Sequence, residues 1–460
     1  MRTQGVERFV AAPPAPRRRF RRPSLVVVCV GVAALGVVAA GAVLWRVRNP
    51  APASAGALGA LPEGTLRATL AARGVAPDEI VLPMEAGADV QALAREAGTG
   101  TAVERTRALA TAIRRLVETG GGQLKTPGLY VAVPPRTANE LAVALRACKA
   151  GRVRSVEAGL LLVAAARASG IAAVAAEAFR LAPGRAADPS GAAGYLVAAV
   201  YEGRIGDGMP SWVDPFGADV VEATPLDDGA AVGFFLATRA LGLLAEDPRS
   251  ARRPYQLAEA AVLAASLPVA TLLGANATIT ASAGSPAEAV GVARRALAAR
   301  TDAPRRYLLA SLLVQVDAVA EAKRELDAAE AADSSLPSLL LSRASAAVVD
   351  GKLADAHGFL DRAFAVAPDA PSAHALAAML AAREQADSAE KSWRASVAAD
   401  PDEVRLRAAL YNFFVQAGRG AEAAAVRDEA LRTARNPDFA RELFASVVPA
   451  PDAGAAPVTP

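Results

Sequence analysis

The chain has 460 residues, 53% of them apolar and 5% aromatic, with a net charge of +3; that length holds two or three globular units with cores of their own. Its two Cys and two His leave little for thiol or imidazole chemistry, and with only Cys148 beyond Cys29 the folded part can form no internal disulfide. Residues 1–48 hold nine Arg and one Glu, a net of +8, so the remainder carries −5; the basic charge lies beside an apolar span and not on a folded surface, which argues against nucleic acid as a partner.

Residues 1–24 read as a cytoplasmic basic tail. Leu25 to Trp45, residues 25–45, is an uncharged run rich in Val, Ala and Gly. At 1.5 Å per residue it makes a helix of about 31 Å, the thickness of a bilayer core. Seven Arg precede it and two follow closely, so the positive-inside rule leaves the N-terminus in the cytoplasm and carries the rest across. Only five of the fifty basic residues are Lys, a bias common in GC-rich bacterial coding, which makes the expected location the inner (cytoplasmic) membrane with a periplasmic or extracytoplasmic body. Ala53-Ser54-Ala55 has the small-x-small form of a leader cleavage site, but the run is long for a leader and Arg46 and Arg48 intervene, so an uncleaved single-pass anchor is expected. Residues 46–61, rich in Ala, Pro and Gly, read as a flexible tether.

From Pro62 the pattern turns helical, most clearly over Val103 to Val117, and stops at Thr119-Gly120-Gly121-Gly122. Leu129 to Val133 reads as a short strand and Asn139 to Ala150 as a helix. Ser155 to Ala168 is almost wholly apolar, the signature of a helix buried on nearly all sides. Ala172 to Phe179 and Tyr195 to Tyr201 read as strands, separated by a Pro- and Gly-rich loop from Pro183 to Ala193. A helix packed on a small antiparallel sheet predicts an α+β domain over residues 62–247.

Several segments of this region occur in a telling order. Ser155-Val156-Glu157-Ala158-Gly159 opens the apolar helix, Arg167-Ala168-Ser169-Gly170-Ile171 closes it, and Ser211-Trp212-Val213-Asp214-Pro215 ends a later strand. Together they resemble the core of the transglutaminase-like superfamily, a papain-like α+β fold. The resemblance implies that Ser155 stands where the family has its cysteine, Tyr195 where it has its histidine, and Asp214 at its aspartate. The family's mechanism requires a thiolate beside an imidazole that a carboxylate orients. Neither Cys nor His lies close enough in sequence to substitute, and a phenol with a pKa of about 10 is a poor proton acceptor near neutral pH. The resemblance therefore implies a degenerate domain with no catalytic residues and no cofactor, in which Asp214 makes a local turn bond and Ser155 and Tyr195 line a peptide cleft. The competing expectation is a hydrolase or transferase with Ser155 as nucleophile and Asp214 in support.

Residues 248–445 carry a second pattern. Small residues recur at Ala289, Ala322, Ala356, Ala389 and Ala423, and seven residues after each at Ala296, Ala329, Ala363, Ser396 and Ala430. Large apolar residues follow the first series at Leu326, Leu360 and Trp393, and Pro368 and Pro401 recur twelve residues after it. These features resemble the tetratricopeptide repeat (TPR), a helix-turn-helix unit of 34 residues that stacks into an all-α solenoid because no unit buries its apolar face alone. Three units match well, the last departs at Arg427, and the first is weak. The resemblance implies a groove that binds a protein or peptide partner, displaying Tyr307, Ser311, Leu341, Ser345, His374, Arg405 and Asn412. It lacks the Lys and Asn cluster that clamps a terminal carboxylate, so an apolar peptide or helix is the expected ligand. His357 and His374 are isolated, so no metal site is expected. Residues 446–460, rich in Ala, Pro and Gly, are expected to form a disordered tail.

These readings combine into a single-pass envelope protein with a small α+β domain and an all-α repeat solenoid, acting by binding. The rival expectation to both binding and catalysis is a purely structural helical scaffold, in which the middle region lacks strands between Ala172 and Phe216.

Overall fold

Two Thr-x-x-Glu sequences start the first well-capped helices. In the computed structural model, which describes residues 61–125, 135–149, 151–246, 251–384 and 387–446, α1 (Glu63–Ala72) and α2 (Ala88–Ala94) precede α3 (Ala102–Thr119). The basic tail, the span Leu25 to Trp45, the tether up to residue 60, the strand expected at Leu129 to Val133 and the tail from 447 lie outside the described residues. The Thr101 hydroxyl accepts from the Glu104 amide while the Glu104 carboxylate accepts from the Thr101 amide, and Thr137 and Glu140 repeat the arrangement ahead of α4 (Ala138–Arg146). The apolar stripe of α3, with Leu109, Ile113 and Val117, is buried. The helix expected to reach Ala150 stops at Arg146, followed by Cys148 and Gly151 with positive φ. That turn brings β2 (Arg152–Arg154) beside β1 (Gln123–Lys125) as a parallel pair.

Strand β2 runs straight into α5 (Ser155–Ala168), whose first twelve residues are all buried. It packs against α2, α3 and α4 and against strands β3 (Ala172–Leu181) and β5 (Leu196–Tyr201), which accounts for its unbroken apolar sequence. Gly159 permits this closeness: a β-carbon there would sit 2.6 Å from the Leu196 carbonyl oxygen. At its other end the Arg-x-x-Gly-Ile turn has a structural explanation. Arg167 donates to the Ala173 carbonyl at 2.8 Å and makes a two-pronged pair with Asp228 at 2.7 and 3.1 Å, while Gly170 takes the left-handed φ of +77°.

The sheet is antiparallel. Its order is β4 (Arg185–Ala186), β3, β5, β6 (Ser211–Val213), and β7 (Val220–Pro225) also pairs with β3. The register runs from Ala172 opposite Tyr201 to Glu177 opposite Leu196, and a bulge between Ala178 and Arg180 shifts the pairing with β7. Alternation divides the strands between two clusters. Ala173, Ala175, Leu196, Ala198 and Val200 join the core around α5, while Val174, Ala176, Tyr195, Val197 and Ala199 pack with Trp212, Phe216 and Val220. Two further helices, α6 (Asp228–Glu246) and α7 (Arg252–Ala264), pack on this core. Helix α6 is long and apolar enough to cross a membrane, but 89% of its apolar window is buried within the protein. Strands lie between Ala172 and Phe216, so the middle region is not an all-helical cap.

The rest of the described chain is a series of helical hairpins. Helices α8 (Ala270–Ser282), α10 (Ala303–Gln315), α12 (Pro337–Val349), α14 (Pro371–Arg383) and α16 (Val404–Gln416) are each thirteen residues long and start 33 or 34 residues apart. Each is followed by its partner: α9 (Pro286–Ala299), α11 (Val319–Ala332), α13 (Leu353–Val366), α15 (Ser388–Ala399) and α17 (Gly420–Thr433). A final helix, α18 (Pro437–Ala445), closes the series. Among the described residues these are five TPR-like hairpins, and the protein is a predominantly helical solenoid joined to a small antiparallel sheet domain. The recurring small residues explain the packing. Ala289, Ala322, Ala356, Ala389 and Ala423 are buried, as are Ala296, Ala329, Ala363, Ser396 and Ala430, so the helix backbones approach closely at the same two heights in every unit. Ser396, the one polar member, donates its hydroxyl to the Pro371 carbonyl at 2.8 Å. The first hairpin, weak in sequence, has the dimensions of the others, and its α8 contributes Leu272, Ala275 and Ile279 to the core of the sheet domain.

Candidate functional site

The three positions aligned with a catalytic triad fall at the junction of α5, β5 and β6. Ser155 opens α5, and its hydroxyl donates to the Gly194 carbonyl at 3.3 Å. Tyr195, the next residue, donates its hydroxyl to Asp214 Oδ1 at 3.0 Å, and Phe216 packs edge-on against the Tyr195 ring. Asp214 Oδ2 accepts from the Ala218 amide at 2.6 Å, the local turn bond expected of it. Burial pushes the Asp214 carboxyl above its ordinary pKa, opposed by the bonds from Ala218 and Tyr195.

These side chains are closed off from solvent. Ser155 and Tyr195 are each 2% exposed and Asp214 is 4% exposed, so the cleft expected between Ser155 and Tyr195 is occupied core in this structure. The phenol hydrogen is engaged by Asp214, and the Ser155 hydroxyl is engaged by a main-chain carbonyl. In this state the arrangement ties α5 to the entry of β5, and β5 to the turn after β6. A nucleophile requires both a proton acceptor and room for a substrate carbonyl.

The solenoid offers the more open surface. Because α8, α10, α12, α14 and α16 have equal length, a residue's place in its helix reports its direction. Thr278, Ser311, Ser345, Met379 and Asn412 all stand ninth. Thr278 and Ser311, with Ala281, Ser282, Leu308, Leu312 and Gln315, line a cavity of about 210 Å³ between α8 and α10, which identifies the ninth position as groove-facing there. Three apolar side chains at or near this height are well exposed: Val314 by 57%, Val349 by 78% and Met379 by 54%. A cationic side chain close to them is Arg383, which donates to the Val348 carbonyl at 2.8 Å.

The expected groove residues divide accordingly. Ser311, Ser345 and Asn412 share the ninth position. Tyr307 is half-buried beside Ala186 of β4, and its hydroxyl meets the Ser342 side chain. Leu341 packs among α12, α13 and α14. His374 falls one residue short of the register of Tyr307 and Leu341; its Nε2 lies 3.0 Å from the Pro368 carbonyl and its ring packs on Phe364. Arg405 pairs with Glu403 at 3.3 Å and lies over the Phe439 ring. Met379, Val314 and Val349 were not among the expected residues. The signal for Met379 was the ninth-place register itself, once the start of α14 is set at Pro371. Among the described residues no cluster of three His, Cys, Asp or Glu has metal-binding geometry.

A buried polar network joins the sheet domain to the first hairpins. Glu177 on β3 accepts from the Thr271 hydroxyl of α8, and Arg305 of α10 reaches both Glu177, at 3.3 Å, and Thr271. Asp302 completes the Arg305 pairing, and Arg300 pairs with Glu222 of β7 at 2.7 Å while lying 3.5 Å from the centre of the Phe179 ring. Burial, opposed by Arg305 and Thr271, pushes the Glu177 carboxyl up to about 7.

No family model matches the sequence, and no curated protein is detectably similar to it. Solved structures that superpose on part of the chain include three repeat-containing or repeat-like chains. A thermophilic TPR protein from Thermus thermophilus has 22% identity and a TM-score of 0.34, covering 39% of this chain and 98% of its own. A tetratricopeptide repeat protein from Parabacteroides merdae has 17% identity and a TM-score of 0.30 over 45% and 84%. Yeast Tom70 has 14% identity and a TM-score of 0.36 over 47% of this chain and 53% of its own length. These overlaps are partial; the repeat architecture rests on the chain's own helix lengths and spacing.

Proposed function

We propose that this chain is a membrane-anchored binding scaffold whose repeat groove receives a protein or peptide segment with an apolar face. The observation that carries this reading is the strip formed by Val314, Val349 and Met379, exposed beside the small polar side chains of Ser311, Ser345 and Asn412. Exposed apolar side chains on the first helices of successive hairpins mark a place where area can be removed from water, and the short hydroxyls let a backbone approach closely. The sheet domain, with its resemblance to a transglutaminase-like core, serves here as a rigid mount and not as a catalyst. The uncharged run Leu25 to Trp45 supplies the anchor, with the folded part on the extracytoplasmic side, and anchoring concentrates the groove at the membrane surface.

The test uses fluorescent peptides of equal length, one set amphipathic with an uncharged apolar face and one set acidic, titrated against the full chain. Binding should favour the apolar-faced set and fall by about tenfold or more when Val349→Asp and Met379→Asp are combined, each change setting a charge against the apolar face of the bound peptide. Unchanged binding by the double variant removes the groove from consideration. Fractionation with protease protection tests the topology: a folded part digested from the cytoplasmic side rules out the proposed orientation.

A further inference from the structure

The repeat array meets the sheet domain at two seams of different chemistry. The near seam is largely apolar. Leu272, Ala275 and Ile279 of α8 lie in the sheet-domain core, Ala186 of β4 packs with Ala303, Leu336 and Leu339, and the Glu177–Thr271–Arg305 network is enclosed between them. The far seam lies about the α15–α16 turn and the approach to α18. There Arg152 of β2 pairs with Asp400, lies 3.4 Å from Asp402, and donates to the Ala399 carbonyl at 3.3 Å. Arg435 lies 3.7 Å from Glu246 at the end of α6. Among the described residues, the apolar clusters formed by α14 to α18 contain no side chain of the sheet domain.

This difference determines which seam can part. Separating the near seam exposes the apolar side chains of α8 and β4 to water as well as parting the Glu177–Thr271–Arg305 network, and only the network recovers hydration. Separating the far seam hydrates Arg152 and Asp400 together, and their recovered hydration offsets much of the lost attraction. The Arg435–Glu246 pair is partly solvated and long, so it adds little. The polar contacts made from the array side by Thr271, Arg305, Ser338, Asp400 and Arg435 come from the start of the first helix of a hairpin or of α18, or from just before it, so the sheet domain borders that edge of the array.

We propose that the array is a clasp, hinged at the near seam and released at the far one by parting of Arg152 from Asp400 and Arg435 from Glu246. Opening swings α14 to α18 away from the sheet domain as a unit and widens the groove along that edge, giving a bulky or folded partner a way in that end-on threading does not.

Hydrogen exchange read by mass spectrometry on the full chain tests this. Arg152→Gln should accelerate exchange of the amides of residues 400–405 and 434–438 by about a hundredfold. Amides at 271–275 and 305–309 should keep their protection. The exchanged pair Arg152→Asp with Asp400→Arg should recover slow exchange at the far seam, which a misfolded protein would not. Because Arg152→Gln could disturb β2 itself, Glu246→Gln provides a milder second variant with a change in the same direction. Equal acceleration at both seams, no acceleration at either, or failure of the exchanged pair to restore protection would overturn the clasp.

Discussion

Replacing Glu177 by Gln should flatten the dependence of stability on pH. Glu177 lies wholly within the near seam, facing Thr271 on α8 and Arg305 on α10, with Asp188 and Arg300 acting from farther away. Its carboxyl is pushed from an ordinary 4.5 up to about 7, chiefly by burial. Between those two values the folded chain holds a proton that the unfolded chain has released. The stabilisation contributed by this group is therefore full below pH 4.5 and is lost as pH climbs through 7, with the full gap equivalent to about 3 kcal/mol. Gln keeps the shape and can still accept from Thr271, but it does not ionise. The parent and the variant should be within about 1 kcal/mol of each other at pH 5, one hydrogen bond's worth of adjustment. At pH 8 the variant should be the more stable by about 2 to 3 kcal/mol. Urea unfolding followed by tryptophan fluorescence and circular dichroism, from pH 5 to 8, measures the difference. Buried Asp214 and Asp400 and half-buried Glu403 are pushed in the same direction, so the comparison between parent and variant isolates Glu177 from them. A difference that does not change with pH, or one that favours the parent as pH rises, would refute the reasoning.

Three further outcomes can be checked by the same denaturation measurement or by simple labelling. Gly159→Val should destabilise the sheet domain by about 1 to 3 kcal/mol, because its β-carbon collides with the Leu196 carbonyl and forces α5 away from β5; an unchanged midpoint would show that the two elements are not held that closely. Tyr195→Phe removes the donor to Asp214 and should cost about 1 to 3 kcal/mol, with an acid-side gain in relative stability as the uncompensated carboxyl protonates. Ser155 should resist acyl-directed probes in the folded chain, since it is buried and engaged by Gly194; rapid stoichiometric labelling of the folded form would favour the competing enzyme reading.

Much of the fold was legible because local signals agreed with tertiary packing. The amphipathic run of α3, the apolar run of α5 and the β-like runs of β3 and β5 each stand where their residues suggest. The strands β1 and β2 did not announce themselves: three residues each are too few to show alternation. The first hairpin was weak because Ala293 occupies the place held by Leu326, Leu360 and Trp393; the bulk around it comes from Leu273, Val290, Leu309 and Leu313 of the first two hairpins. The groove was read in part. Ser311, Ser345 and Asn412 keep one register, whereas His374 was chosen one residue off because α14 and α15 start 17 residues apart where the other pairs start 16 apart. Arg167 and Gly170 looked like parts of an enzyme signature, but Arg167 joins α5, β3 and Asp228, a purely structural role. Glu177 gave a readable signal that was missed, a lone acid within an Ala- and Val-rich strand; its partners lie some hundred residues away and become visible only in three dimensions.

Open repeat arrays gain or lose units readily, since each hairpin meets only its neighbours. Here Asp400 follows the fourth hairpin and Arg435 follows the fifth, yet both must reach fixed points on the sheet domain, Arg152 and Glu246. Inserting one more hairpin ahead of them would displace them by at least one helix diameter, about 10 Å, beyond the reach of any side-chain adjustment. The copy number of the repeat is thus a measured length, set by the width of the domain it spans, and duplication or deletion of a unit must be matched by a change at the other end of the molecule.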